Sequence, residues 1–171
     1  VLFIALLLKA IALALREVGD LNGVFVDGAF RRSDAIRIGL VTSLRTGGIV
    51  VPAVRDVDRL AVPEVMASLQ DVLGRARSSQ LRSSDLSEGT ITVTSMGDLG
   101  AQTVFGVIYP PQVALVGLGR IVRKPAVVGD SVVPARSLVA TLSADHRVTD
   151  GITGARFLTR LAEVLERPEA M

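Results

Sequence analysis

The sequence predicts an α+β domain built on a mixed or largely antiparallel β-sheet. Its length of 171 residues, with 49% apolar and 21% charged residues, is typical of one compact globular domain. Apolar residues at helical spacing alternate along the chain with short aliphatic runs bounded by glycine and proline, in the order helix, strands, helix, strands, helix. No internal repeat is evident, and this order favours the α+β class.

The first predicted element is an apolar helix over residues 1–15, with Gly19 near its C-terminal end. A membrane span needs about 20 apolar residues, but Lys9 interrupts this run and Arg16 closes it. A signal peptide would begin with a basic region, which is missing here. We therefore expect a buried helix. The chain starts inside this helix without an initiator Met, so we expect it to be the remainder of something longer.

The middle of the chain predicts two strands and a second helix. The strands cover residues 35–42 and 48–54, and the turn-like residues 45–48 separate them. Apolar residues at three- and four-residue spacing then predict an amphipathic helix over residues 62–77. The polar residues 78–84 that follow are expected to form an exposed loop.

The second half predicts a strand-rich region and a closing helix. Strands are expected over residues 90–94, 104–108, 113–118 and 137–142, because β-branched and aliphatic residues dominate there. A last amphipathic helix ends before Pro168. Its apolar face consists of Ile152, Ala155, Leu158, Leu161, Ala162 and Leu165.

Composition excludes several classes of function. The chain has no Cys and one His, which excludes disulfide scaffolds, thiol catalysis and zinc sites built from several Cys or His ligands, so no metal is predicted. Its 19 Lys+Arg and 17 Asp+Glu are scattered, and the net charge of +2 gives no sign of nucleic-acid binding. The mean hydropathy of +0.49 predicts that an oligomer covers part of the surface.

The one histidine, His146, follows an apolar strand and lies close in sequence to Asp145 and Asp150. An unperturbed imidazole titrates near neutral pH, so such a residue can serve as a general base. From the residues alone, a surface or capping residue is the more common interpretation. The pair Asp150-Gly151 is likewise typical of a turn that caps the last helix.

Five segments resemble the acyltransferases of 2-oxoacid dehydrogenase complexes. Residues 143–151, Ser-Ala-Asp-His-Arg-Val-Thr-Asp-Gly, are similar to the family's His-x-x-x-Asp-Gly signature. Residues 89–97, Gly-Thr-Ile-Thr-Val-Thr-Ser-Met-Gly, and residues 108–117, which contain Pro-Pro-Gln, are similar to two further motifs. Shorter matches at residues 7–10 and 48–52 extend the resemblance from end to end.

The resemblance implies a fold and a domain assignment. The fold is the two-layer α+β fold of chloramphenicol acetyltransferase, a mixed β-sheet packed with helices. Residues 1–171 form the acyltransferase catalytic domain, without its N-terminal part, the lipoyl domain or the subunit-binding domain. One departure is Tyr109, which stands where the family usually has Asn.

The resemblance also implies an activity, the transfer of a branched-chain acyl or acetyl group between dihydrolipoamide and coenzyme A. His146 corresponds to the general base and Thr94 to the hydroxyl that stabilises the oxyanion. Asp150 belongs to the signature, either as an electrostatic partner or by orienting the loop and capping the helix. A plain alternative for Thr94 is a β-branched residue that favours strands. Coenzyme A is a substrate whose binding residues are unknown, and the lipoyl group is carried on a domain outside this chain.

Family members are homotrimers whose active sites lie between subunits, and the trimers assemble into cubic or dodecahedral cores of twenty-four or sixty subunits. The implied partners are the 2-oxoacid decarboxylase and dihydrolipoamide dehydrogenase components, with no nucleic acid and no membrane. The expected compartment is the bacterial cytoplasm, or the mitochondrial matrix in a eukaryote. The alternatives are a non-catalytic trimeric scaffold and a chloramphenicol-type O-acetyltransferase. The latter usually has a second His where Asp145 stands.

Overall fold

The computed structural model describes residues 2–44 and 47–171. Its α-helices are α1 (Leu2–Glu17), α2 (Val62–Arg77), α3 (Ser83–Ser87) and α4 (Gly151–Leu165). Its strands are β1 (Gly23–Val26), β2 (Ala29–Arg32), β3 (Ile38–Leu40), β4 (Thr42–Ser43), β5 (Ile49–Val50), β6 (Ala53–Val54), β7 (Ile91–Ser95), β8 (Ala114–Leu118), β9 (Val122–Val128), β10 (Ser131–Ser137) and β11 (Ala140–Ala144). None of the helices in these ranges has the length and apolarity needed to cross a membrane.

The central feature is a five-stranded sheet in the order β11-β8-β7-β3-β6. The two inner pairs, β8 with β7 and β7 with β3, are parallel, whereas the outer strands β11 and β6 are antiparallel to their neighbours. The predicted mixed sheet is therefore confirmed. Three further pairs, β1–β2, β4–β5 and β9–β10, form separate two-stranded hairpins.

The two faces of the sheet differ in chemistry. Side chains alternate along a strand, so Ile91 and Val93 of β7 point to one face and Thr92 and Thr94 to the other. The first face is aliphatic and packs with α1 and α4 into the hydrophobic core. The second face carries threonine, serine and glycine. The paired rows of this second face contain Gly39, Thr92, Thr94, Leu115, Gly117, Thr141 and Ser143.

Helix α1 is buried almost all round, as its apolar sequence predicts. Its one charged interior residue, Lys9, is 6% exposed. The Lys9 ammonium donates to the carbonyl oxygens of Asp58 at 2.8 Å and Leu60 at 2.6 Å, which satisfies most of its hydrogen-bonding capacity. Burial lowers the pKa of Lys9, and the nearby Asp58 carboxylate opposes that shift. The lysine thus ties the buried helix to the chain that leads into α2.

The predicted strand over residues 104–108 is wrong. Residues 101–109, called the crossing segment below, belong to no helix and no strand ladder. The segment lies across the second face of the sheet, where the Thr141 hydroxyl donates to the Val104 carbonyl and the Ser143 hydroxyl donates to the Gly106 carbonyl at 2.6 Å. A Cβ on Gly117 would overlap the Val104 carbonyl, so glycine permits this close approach.

The remaining predicted elements are confirmed or differ from the structure in smaller ways. The helices predicted over residues 1–15 and 62–77 and at the C-terminal end are confirmed. Residues 48–54 form two short strands, β5 and β6, because Pro52 cannot donate to a ladder. The predicted loop at residues 78–84 leads into α3 at Ser83. The predicted turn at residues 45–48 lies partly outside the described residues.

The sequence analysis missed two hairpins. In β1–β2 the turn residues Asp27 and Gly28 have φ of 53° and 76°. An Asp-Gly pair between apolar residues is a recognised signal for such a turn. In β9–β10 the turn contains Gly129, with φ of 58°, and each strand contains a proline, which disfavours a strand prediction.

Candidate active site

Thr94 lies on the second face of β7 and is 8% exposed. Its strand is paired on both sides, with β3 and with β8, so its backbone is held in the middle of the sheet. In the ladder Thr94 is opposite Gly117, which is opposite Thr141 on β11. Because Gly117 has no side chain, the Val104 carbonyl of the crossing segment and the Thr141 hydroxyl occupy the space above it.

The hydroxyl of Thr94 differs from its neighbours on this face. Thr92 donates to the Gln112 side chain at 2.6 Å, and the hydroxyls of Thr141 and Ser143 bind carbonyls of the crossing segment. Among the side chains that the structure describes, the Thr94 hydroxyl has no such partner. The Thr94 hydroxyl is therefore available to donate a hydrogen bond to a group outside this chain.

His146 lies in a tight turn directly after β11 and is exposed. The amides of Val148 and Thr149 donate to the Asp145 carbonyl at 3.0 and 3.1 Å, which closes the turn. The Asp145 amide donates to the Val113 carbonyl at 2.8 Å and anchors the turn at the start of β8. Among the described side chains, the imidazole has no hydrogen-bond partner. It therefore faces solvent from a fixed backbone.

The residues on either side of His146 form an ion pair. The Asp145 carboxylate accepts from the Arg147 guanidinium at 3.0, 3.1 and 2.6 Å, and from the Arg147 amide at 3.0 Å. These hydrogen bonds from Arg147 lower the pKa of Asp145 to about 2. Through these contacts with Arg147, both carboxylate oxygens of Asp145 are hydrogen-bonded within the turn. Beneath it, the guanidinium carbon lies 4.0 Å from the centre of the Phe25 ring.

Asp150 caps α4. Its Oδ1 accepts from the Thr153 amide at 2.8 Å, and this hydrogen bond lowers the pKa of the Asp150 carboxyl. A carboxylate at this position satisfies an amide that the first turn of a helix leaves unpaired. In the described structure Asp150 makes no hydrogen bond to His146.

One chain does not bring Thr94 and His146 together. Thr94 is level with Thr141, and β11 runs three residues further, to Ala144, before the turn. Three residues of strand span about 10 Å, and His146 lies two residues beyond. Within a single chain the candidate base and the candidate oxyanion donor are therefore at opposite ends of the sheet.

The site contains residues that the sequence analysis missed. Phe25 was not singled out because its hairpin, β1–β2, was not predicted. Ser143 was named only as part of the signature segment, and its hydroxyl binds the Gly106 carbonyl. The Asp-Gly turn of β1–β2 was the available signal for Phe25, but no local pattern links Phe25 to Arg147, which lies far along the chain.

Comparison with known proteins identifies the family of this chain. A family model described as 2-oxoacid dehydrogenases acyltransferase (catalytic domain) matches residues 1–171. The chain belongs to this acyltransferase family. The predicted resemblance, based on the motifs around Thr94 and His146, is thereby confirmed.

Two curated relatives differ in the complexes that they are named for. The chain is 32% identical to the acetyltransferase component of the pyruvate dehydrogenase complex of Staphylococcus epidermidis, covering 99% of the chain and 39% of the relative. It is 34% identical to the lipoamide acyltransferase component of the branched-chain alpha-keto acid dehydrogenase complex of Pseudomonas aeruginosa, covering 96% and 39%. The chain spans only 25% to 40% of the curated relatives that it matches.

Solved structures agree with the fold. The cubic core of a pyruvate dehydrogenase multienzyme complex superposes with a TM-score of 0.89 at 32% identity, covering 98% of this chain and 70% of the other. A chloramphenicol acetyltransferase gives a TM-score of 0.61 at 15% identity, covering 95% and 77%. The second likeness is one of fold alone. Together they confirm the predicted two-layer α+β fold of the acyltransferase family.

Proposed function

We propose that this chain is an acyltransferase core that moves an acyl group between the thiol of dihydrolipoamide and the thiol of coenzyme A. The observation that carries the proposal is the unengaged imidazole of His146, held in a hydrogen-bonded turn within the family signature. An imidazole without a hydrogen-bond partner among the described residues is available to accept a proton from a substrate. Both reacting thiols belong to the substrates, which agrees with a chain that has no Cys.

His146 acts as the general base. A thiol with a pKa near 8.5 is mostly protonated at neutral pH, and the thiolate is the nucleophile. The imidazole removes the thiol proton, and the sulfur attacks the carbonyl carbon of the incoming thioester. When the tetrahedral intermediate collapses, its other carbon–sulfur bond breaks, and the imidazolium returns the proton to the departing sulfur.

Thr94 stabilises the negative charge that forms on the carbonyl oxygen during this attack. A donor that is already fixed in place contributes most when charge develops in the transition state. The Thr94 hydroxyl fits that requirement because its strand is paired on both sides and the hydroxyl has no partner among the described residues. Asp150 supports the site indirectly, by capping α4 at the end of the His146 turn.

The site forms between two copies of the chain. The sheet register separates Thr94 from His146 in one copy, so His146 from one subunit must meet Thr94 from its neighbour. The exposed apolar side chains support such an assembly, since they are unusual on a monomer. They include Phe105, Val107 and Tyr109 on the crossing segment and Val127, Val128 and Val132 on β9–β10.

We assign this assembly to a homotrimer that builds the larger core of a 2-oxoacid dehydrogenase complex. The partners in that complex are the decarboxylase and dihydrolipoamide dehydrogenase components, and the compartment is the bacterial cytoplasm. The likeness to a cubic core supports the assembly. The acyl group is acetyl or branched-chain, because relatives of both kinds match at similar identity. The two differ by a few methyl and methylene groups, each worth only about 1–3 kcal/mol in a pocket.

The first test measures acyl transfer from acetyl-, isobutyryl- and succinyl-coenzyme A to free dihydrolipoamide. We expect the parent to transfer acetyl or isobutyryl groups and His146→Ala to lose about 10²- to 10⁴-fold in kcat. Gln70→Ala, an exposed substitution on α2, serves as the control and keeps parental activity.

Four results would contradict the proposal. If the parent transfers none of these groups to a thiol, it is a scaffold; if it acetylates chloramphenicol instead, it is an O-acetyltransferase. Full activity in His146→Ala would remove the assigned base. A stable monomer in light scattering would contradict a site shared between two copies.

A further inference from the structure

The His146 turn rests on an aromatic ring from a distant part of the chain. Arg147 is 65% exposed, yet its guanidinium contacts two groups of this chain, and its amide makes a third contact. It binds the Asp145 carboxylate with two nitrogens, its own amide binds the same carboxylate, and its carbon lies 4.0 Å above the Phe25 ring. A guanidinium over an aromatic face at this distance makes a cation–π contact.

The ring itself is fixed. The Phe25 amide donates to the Pro111 carbonyl at 2.8 Å, which joins β1 to the chain just before β8. On the other strand of its hairpin, Phe25 is opposite Phe30. Phe25 is partly buried, and its backbone is held by the pairing of β1 with β2. The Phe25 ring therefore provides the aromatic face on which the Arg147 guanidinium packs.

Nothing else within the described residues orients the imidazole. His146 has no side-chain hydrogen bond, Asp150 is engaged in capping α4, and the sheet ends at Ala144. The direction of His146 depends on the turn backbone. Main-chain hydrogen bonds of Asp145 close that turn, and the ion pair of Asp145 with Arg147 restrains it on both sides of His146. The cation–π contact with Phe25 packs the Arg147 guanidinium against the β1–β2 hairpin.

We propose that Phe25 is a positioning residue that fixes the direction of His146 through the Arg147 guanidinium. The inference rests on the proposed function, because it assigns Phe25 to the base of that reaction. A general base must lie within hydrogen-bond reach of the proton that it removes, and an error of about 1 Å in such geometry costs up to about 10²-fold in rate. Loss of the aromatic face therefore lowers kcat, while substrate binding is retained.

The kinetic test compares Phe25→Leu with Phe25→Tyr, and uses Phe30→Leu as the matched control on the facing strand. We expect Phe25→Leu to lower kcat about 10- to 10²-fold, with KM within about twofold of the parent. Phe25→Tyr keeps the aromatic face and restores parental kcat, and Phe30→Leu has little effect. In a His146→Ala background, Phe25→Leu should lower the residual rate no further, because the two changes act through one group.

A second measurement is independent of acyl transfer. The chain has one histidine, so selectively labelled histidine gives one imidazole signal in NMR. Relaxation of that signal should show greater mobility in Phe25→Leu than in the parent, and no change in Phe25→Tyr or Phe30→Leu. If the parent proves inactive, the proposed function fails, but this measurement still tests the positioning role.

Three outcomes would overturn the inference. One is equal kcat and equal histidine mobility in Phe25→Leu and Phe30→Leu. Another is a loss of kcat that persists unchanged in the His146→Ala background. The third is a loss that Phe25→Tyr does not rescue, together with a lower melting temperature, which would make Phe25 a folding residue only.

Discussion

The two halves of the candidate site are built in opposite ways. Thr94 is 8% exposed in a strand that is paired on both sides, so the sheet alone fixes it. His146 is exposed in a turn beyond the end of β11, and an ion pair and an aromatic ring hold that turn. The oxyanion donor thus belongs to the rigid interior, whereas the base belongs to the periphery.

This difference follows from what each group does. An oxyanion donor gains from a fixed position, because its contribution depends on being oriented before charge develops. A base must be reached by the thiols of two substrates, so it has to lie at an accessible surface. The periphery offers access, and the contacts of Asp145, Arg147 and Phe25 supply the order that a surface turn lacks.

The largest expected effect comes from removing each half of the candidate site in a separate variant. Thr94→Val removes the free hydroxyl and keeps the shape, and we expect it to lower kcat about 10²- to 10³-fold. Its stability should be unchanged, since the Thr94 hydroxyl makes no hydrogen bond to the described side chains. Co-expression of Thr94→Val with His146→Ala should restore activity, because mixed oligomers contain sites with both intact groups.

The size of that recovery is set by how the subunits mix. If each site takes one residue from each of two neighbours, about one site in four is intact in a random mixture of equal amounts. Thr94→Ser, which keeps the hydroxyl, should stay close to the parent. A mixture no more active than its separate components would place both residues of a site in one chain.

A smaller effect is expected where the turn meets α4. Asp150→Ala removes the cap and should lower the free energy of unfolding, measured in urea. Asp150→Asn keeps a capping oxygen but removes the charge, so we expect it to retain stability and acyl transfer. A large loss of kcat in Asp150→Asn at unchanged stability would instead give the carboxylate a direct electrostatic role.

The smallest effect concerns the acid side of the pH range. The pKa of Asp145 lies at about 2 in the folded chain against an ordinary 3.8, so its ion pair stabilises the folded state above about pH 4. That contribution is lost as the pH falls from about 4 towards 2. The melting temperature of the parent should therefore exceed that of Asp145→Asn at pH 6, and the gap should narrow in acid. A gap that is constant with pH would mean that the pair does not titrate with folding.

Local sequence patterns predicted much of this molecule. The three long helices and strands β7 and β8 have strong periodicity or dense aliphatic residues, so they were predicted within a few residues of their bounds. Thr94 and His146 were selected because both lie in motifs of the family. Periodicity alone left His146 open between a base and a surface residue.

The rest depends on contacts between distant segments. The crossing segment has the alternation of a strand, but it bonds to hydroxyls of β11 and not to a neighbouring ladder. Nothing within residues 104–108 reveals which kind of partner they have. The same holds for Phe25, because its role depends on Arg147 being folded onto it.

The crossing segment is attached to the sheet by side chains, so its length does not affect how the strands pair. Because Thr141 and Ser143 hold it by their side chains, residues can be inserted or deleted between its anchors without shifting the register of β7, β8 and β11. Its outward side chains Phe105, Val107 and Tyr109 are then free to vary with the neighbour that they meet. A protein of this fold can therefore change its outer contacts in evolution while Thr94 keeps its place.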